Sequence, residues 1–232
     1  MTEPAAAATQ LALEFVRDGQ TLGLGTGRAA SAFVRALGER VAHGLQVRGV
    51  ATSDATAALA REVDVPLVSL AEARRIDVTF DGADEVDPQL DLIKGYGGAL
   101  VREKIVAASS QELVILVGEE KLVSQLGSRG VLPVEVLPFA QALCEERLRE
   151  LGCEPVERLA DSGAPFRNDN ANAILDCKIA PIENAAELDR AIREIPGAIG
   201  SGLFVAMADT VVVEGADGAE LRTRPTRSAG DR

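Results

Sequence analysis

The chain has 232 residues, 47% of them hydrophobic, 3% aromatic with no Trp, and a formal net charge of −12. That length and apolar content support one large folded unit, or a medium one with a small companion, and exclude wholesale disorder. The acidic balance argues against nucleic acid or an anionic membrane surface as partner, since both need basic faces.

Helical spacing over 5–17 opens the chain, with Leu11, Leu13, Phe15 and Val16 among alanines. A short strand over 21–24 runs into Gly25-Thr26-Gly27, and a helix over about 28–40 carries Phe33, Val34 and Leu37 on one face. A second strand is expected over 45–51. Thr52-Ser53-Asp54 then caps a helix to about residue 62. Short strands follow over 65–67 and 76–80, then a helix over 99–109 and a wholly apolar strand over 113–117. This alternation predicts a doubly wound, mostly parallel α/β sheet.

The rhythm changes near Gly130. Strand 134–137, helix 139–151, strand 154–158, a polar loop over 161–172, strand 173–178, helix 185–194 and strand 198–205 follow. The order β-α-β-β-α-β predicts a smaller α+β lobe of ferredoxin-like type. The expected division is therefore 1–129 with 206–232 for the larger Rossmann-like part and 130–205 for the lobe. An apolar strand over 210–213 returns to the first sheet, and residues from 216 onward read as a polar, frayed tail.

Cys144, Cys153 and Cys177 lack metal-ligand spacing and fit buried thiols in a reducing, cytoplasmic setting. No apolar run reaches membrane-spanning length. His43, the one histidine, precedes Gly44 at a helix end where a cation suits the dipole. A carboxylate is thus the expected general base.

The chemistry-bearing residues cluster in 81–104. Asp81-Gly82-Ala83-Asp84-Glu85 follows a buried strand, and strand ends are where α/β sheets place ligands. The acids suit sugar hydroxyls or proton transfer. A divalent ion held by oxygen ligands is the lesser alternative, because Lys94 would compete as a cation. Lys94-Gly95-Tyr96-Gly97-Gly98 is costly as scaffold and makes sense where backbone N–H groups approach a ligand, with Lys94 stabilising an oxyanion. Glu103 reads equally as a base or as a surface glutamate paired with Arg102 or Lys104. Gly25, Thr26, Gly27, Arg28 and Ala29 form a strand-to-helix turn suited to phosphate. Gly25, Gly27 and Ala30 also fit a dinucleotide fingerprint. The second strand lacks the acid that would bind a ribose, so a nucleotide-dependent dehydrogenase is disfavoured. Ser53 belongs to a helix cap or to a second set of hydroxyls beside the same pocket.

The runs GLGTG, TSDAT, DGADEVD, KGYGGALVREKIVA, PVEVLP, NDNANAILDC and IPGAIGSGLF, in this order, resemble the ribose-5-phosphate isomerase A family over nearly the whole chain. The resemblance implies an aldose–ketose isomerase of the non-oxidative pentose phosphate pathway, needing no cofactor and no metal. Its substrate would be a phosphorylated pentose, and its assembly a homodimer or homotetramer. It implies Glu103 as general base, Asp81 and Asp84 at ring opening and the hydroxyls, and Lys94 on the enediolate. Gly82, Ala83, Gly95, Tyr96 and Gly97 would line the substrate, and Thr26, Gly27 and Lys121 would face its phosphate. Two departures stand out. The family usually reads Gly-Thr-Gly-Ser-Thr-Ala, where this chain has Arg28 and Ala29 after Gly27, and Tyr96 replaces a small residue. The alternative reading is a non-catalytic sugar-phosphate sensor on the same fold.

Overall fold

The computed structural model describes residues 5–224. Its central sheet has the order β13-β12-β6-β3-β1-β2. β1 (Thr21–Leu24), β2 (Arg48–Ala51), β3 (Ile76–Gly82), β6 (Ser110–Gly118) and β12 (Thr210–Gly215) run parallel; β13 (Gly218–Thr223) closes one edge antiparallel to β12. β2 and β3 flank β1 on opposite sides, so the chain winds away from β1 in both directions. The crevice between β1 and β3 is the switch point of such a sheet.

Helices cover both faces. α1 (Ala5–Leu13), α2 (Arg28–Ala42) and α3 (Asp54–Glu62) pack one face, where Leu13, Leu24, Phe33, Leu37 and Phe80 share one buried cluster. Phe33 and Phe80 stack with centroids 4.1 Å apart. On the other side, α4 (Leu70–Ala73) and α5 (Leu100–Ala108) follow β2 and precede β6 in chain order, with Ala73 and Val106 buried against Val50 and Ile76. A three-stranded sheet, β11-β5-β4, pairs β4 (Glu85–Val86), β5 (Leu92–Ile93) and β11 (Leu203–Phe204).

β7 (Val131–Val136), β8 (Glu154–Glu157), β9 (Ala173–Lys178) and β10 (Ala198–Ser201) form a fully antiparallel sheet of order β10-β7-β9-β8. α6 (Gln141–Glu150) and α7 (Ala185–Arg193) contribute to its separate core, around Leu132, Val134, Leu148, Leu175 and Ile192. The four strands stand in the order 4-1-3-2 of a ferredoxin-like unit.

Four expectations need correction. The strand over 198–205 is two, broken at Gly202, whose N–H donates to Pro133 while its carbonyl accepts from the Lys94 N–H. The chain steps there from one sheet to another. The tail from 216 is, through Thr223, the edge strand β13; its polar sequence reflects exposure, not fraying. The run over 65–67 makes a single bridge, Leu67 to Gly49. The first helix stops at Leu13 instead of reaching 17. Residues 225–232 lie outside the described residues. Among those described, no helix is long and apolar enough to cross a membrane.

Candidate active site

A cavity of about 370 Å³ opens at the carboxyl ends of β1, β3 and β6. Thr26 to Ala29 line it after β1, Gly82 to Asp84 from the end of β3, and Leu116 to Gly118 with Glu120 and Lys121 from β6 and the turn beyond. Lys94, Gly95, Gly97 and Glu103 complete it.

The floor is a buried ion cluster. Lys94 Nζ lies 3.0 Å from Asp81 Oδ2 and 3.2 Å from Glu103 Oε2, and donates to the Gly82 carbonyl at 2.6 Å. All three side chains are buried, at 4% exposure or less. Asp81 Oδ1 accepts from the N–H groups of Thr26 at 3.2 Å and Gly82 at 2.8 Å. Gly25 makes this possible. A Cβ there would fall 2.2 Å from Asp81 Oδ1, so only glycine lets β1 pass beside that carboxylate. Glu103 Oε2 meets the ammonium off-angle. It is an ion contact without hydrogen-bond geometry, and that buried oxygen has no hydrogen-bond partner. An acceptor so placed is open to a proton.

Burial pushes the Asp81 carboxyl upward, opposed by Lys94 and its two N–H donors. Burial alone would lower Lys94, but the charges of Asp81 and Glu103 outweigh it and hold the ammonium above its ordinary range. For Glu103, burial and then the Asp81 charge raise the carboxyl to about 8 against the pull of Lys94. A base titrating near neutral pH is well matched to proton abstraction.

The glycine run links β5 to α5. Gly95 (φ 106°) and Gly98 (φ 84°) sit where a side chain is strained. The Tyr96 N–H donates to Asp84 Oδ2 at 3.1 Å and the Gly98 N–H to the Gly95 carbonyl at 2.9 Å. Among the described residues, the N–H groups of Gly95 and Gly97 find no acceptor in the protein. Glu103 follows on the first turn of α5 and faces inward because Leu100 and Ala107, at helical spacing, are buried on the same side.

At the other end of the cavity, α2 begins after Gly27 (φ 108°) with no side-chain cap, leaving its first N–H groups and positive dipole end facing the opening. Arg28 is exposed there and makes no ion pair among the described residues. Lys121 approaches from the turn after β6. An ammonium, a guanidinium and unpaired N–H groups form an anion cradle.

Four sequence-predicted residues stand behind the lining instead of in it. Asp81 reaches the cavity only through Lys94, beneath which it is buried. Gly25 supplies room. Ser53 caps α3 through the Thr56 N–H at 3.0 Å and receives the Thr26 hydroxyl at 2.8 Å, in a buried cluster with Thr52 and Thr56. Thr26 thus spends its hydroxyl inward and faces the cavity with its remaining atoms. Tyr96 turns outward and is 39% exposed. Glu85, of the same acidic run, is fully buried and accepts from the N–H groups of Gly127 and Arg129. Sequence reasoning missed Leu116 to Gly118 and Glu120. The first two read as plain core strand, and only their place at a strand's carboxyl end could have marked them.

The model of the ribose 5-phosphate isomerase A (phosphoriboisomerase A) family matches residues 48–218. The chain belongs to the ribose 5-phosphate isomerase A family. Relatives named ribose-5-phosphate isomerase A include that of Gloeobacter violaceus, 50% identical over 217 residues, 93% of this chain and 94% of the relative. That of Roseiflexus castenholzii is 49% identical over 213 residues, 91% of each. Among solved structures, the family member from Methanocaldococcus jannaschii superposes with a TM-score of 0.91 at 40% identity, covering 95% of this chain and 98% of that one. A D-ribose-5-phosphate isomerase in complex with phospho-erythronic acid gives 0.93 at 37% identity, covering 96% and 98%.

Proposed function

We propose that the chain interconverts D-ribose 5-phosphate and D-ribulose 5-phosphate through an enediolate. The observation that carries this is the Asp81–Lys94–Glu103 cluster under a cavity whose far end is built for an anion. The bound phospho-erythronic acid of a family structure, a phosphorylated four-carbon acid, supports a sugar-phosphate of this size.

The phosphate settles on the N-terminus of α2, with Gly27, Arg28, Ala29 and Lys121, and orients the sugar remotely. Asp84, held by the Tyr96 N–H, and Asp81 serve ring opening and the hydroxyls. Glu103 takes the proton from C2 of the open aldose, and the same carboxyl returns it to C1. The electron pair released moves onto the carbonyl oxygen, where Lys94 and the N–H groups of Gly95 and Gly97 meet the growing charge. As C1 is reprotonated, the C2 hydroxyl gives up its proton and becomes the new carbonyl, while the former carbonyl oxygen takes a proton to become the C1 hydroxyl; with both transfers the isomer forms and no other reactant is needed.

The same reading keeps the division into 1–129 with 206–232 and 130–205, supported by the separate apolar cores. It also keeps a cytoplasmic setting, consistent with three free buried cysteines, and a homodimer or homotetramer. Exposed Phe139, Val156 and Leu159 on the smaller lobe are available for such contacts, and light scattering measures the assembly. The deciding experiment mixes purified, EDTA-treated protein with ribose 5-phosphate and follows ketose formation. Absence of ketose at micromolar enzyme overturns the reading.

A further inference from the structure

Arg158 lies at the end of β8 in the smaller lobe, outside the cavity lining. Four of its five guanidinium N–H donors have named acceptors. Nε and Nη2 grip Asp176 on β9 at 2.8 and 2.5 Å, and Nη1 donates to the carbonyls of Gly95 at 3.1 Å and Tyr96 at 2.9 Å. Phe166 stacks near it, 5.8 Å from centroid to guanidinium carbon. The side chain is 14% exposed.

Those two carbonyls belong to successive peptide units of the glycine run. In a trans peptide the C=O and N–H point in opposite directions. Drawing the Gly95 carbonyl toward the lobe turns the Tyr96 N–H the other way, where it holds Asp84 at 3.1 Å. Drawing the Tyr96 carbonyl outward turns the Gly97 N–H toward the cavity, which Gly97 lines and where that N–H has no protein acceptor. One guanidinium thereby aims one free donor and fixes one carboxylate. Inside the run the Gly95 carbonyl also accepts from the Gly98 N–H, but the Tyr96 carbonyl has no partner within the run, and glycines at 95, 97 and 98 offer no side chain to set its plane, so Arg158 supplies that orientation from outside.

We infer that Arg158, braced by Asp176, is a positioning residue for the isomerisation, setting the Gly97 N–H as an oxyanion donor and Asp84 as a substrate ligand. This rests on the isomerase reading above. A guanidinium is needed because a lysine ammonium is a point donor and lacks the planar fork that spans a carboxylate and two carbonyls together.

The test compares the parent with Arg158→Met, Arg158→Lys and the neighbouring surface control Arg167→Gln. Turnover, KM and inhibition by phospho-erythronic acid are measured for each. Arg167 pairs with Glu157 and does not touch the glycine run, so its variant should match the parent. Arg158→Met should lower kcat by about 10- to 100-fold, approaching the loss of one oxyanion donor. KM should rise by less than kcat falls, because Asp84 is loosened but the phosphate cradle is untouched. The inhibitor, whose carboxylate carries a negative charge as the enediolate does, should weaken in step with kcat/KM. A merely structural role would not impose that parallel. Arg158→Lys should show most of the same loss. Near-parental kcat in Arg158→Met, or a kcat loss that the inhibitor constant does not share, overturns the inference. Should Arg158→Met not fold, Arg158→Lys decides alone: the same split supports the inference, while parental kcat or failure to fold overturns it. An inactive parent refutes the isomerase reading and this inference together; an active parent beside an unaffected variant refutes this one only.

Discussion

The Lys94 ammonium stands 3.2 Å from a Glu103 oxygen that accepts no hydrogen bond, while 3.0 Å away Asp81 shares the same cation. Two buried carboxylates around one ammonium leave the cluster a net negative charge short of balance. Of the two carboxylates, Asp81 has two N–H donors in addition to Lys94 and Glu103 has none. On the mechanism proposed above, that difference assigns the proton-accepting role to Glu103.

Replacing Glu103 by Gln should lower kcat by about two to four orders of magnitude, the usual contribution of a general base, with sugar-phosphate binding retained. Stopped assays together with calorimetric binding check this. Near-normal turnover would remove Glu103 from the reaction.

The raised Glu103 carboxyl fixes two pH dependences. As a base it must be ionised, so kcat/KM should fall about tenfold per pH unit below about 8 and level off above it. For stability the sign is opposite. The folded state holds this proton more tightly than the unfolded chain, so the contribution is fully present below about pH 4.5 and is lost as pH rises through about 8. Glu103→Gln should therefore gain stability relative to the parent as pH increases over that window, measured by denaturant titration at pH 5 and pH 9. A constant difference would contradict the buried titration.

Lys94→Met leaves both carboxylates buried without a cation. Turnover should drop about 10²- to 10³-fold, and the pH at which activity appears should move up. Breaking a buried pair costs about 3–5 kcal/mol, and the loss should be larger at alkaline pH, where both acids are forced to ionise.

Gly25→Ala places a methyl 2.2 Å from Asp81 Oδ1 and 2.7 Å from its Cα. Backbone on both sides prevents easy relief. Displacement of Asp81 by even about 1 Å should reduce kcat on the order of 10²-fold. Gly27→Ala, by contrast, meets no neighbour but is strained at φ 108°, so its effect should appear chiefly in stability.

Arg28→Ala addresses the departure from the family pattern at the α2 turn. A charge-assisted phosphate contact is worth about 1.5–3 kcal/mol, so KM should rise about 10- to 100-fold with kcat little changed. Unchanged KM, and unchanged inhibition by inorganic phosphate, would place the guanidinium in solvent.

The long elements were legible because their apolar runs have clear periods: the strand at 113–117 and the helix bearing Phe33, Val34 and Leu37 both stand where those patterns put them. Short pieces were not. β4 and β5 have two residues each, too few for any period, and β13 looks polar because nothing covers it. Position 202 was opaque for another reason. Its glycine answers to Lys94, whose carbonyl would sit 2.2 Å from a Cβ, and that contact spans more than a hundred residues. In the site, residue types announced the acids, the lysine and the glycines. Arg158 gave no such signal, since its role depends on which carbonyls lie in front of it.

The burial of Glu85 gives the acidic run a double allegiance. Its carboxylate clasps the turn at Gly127 and Arg129, just beyond Lys121, while its near neighbours Asp81 and Asp84 serve the cavity. Gly127 has its own reason to stay glycine, with φ 85° and the Ala180 carbonyl 2.8 Å from where a methyl would go. Drift in this five-residue stretch is thus policed from two directions at once, by the reaction and by the architecture of a distant bend. Even an aspartate at 85, shorter by one methylene, would unfasten that bend while leaving every reacting group in place.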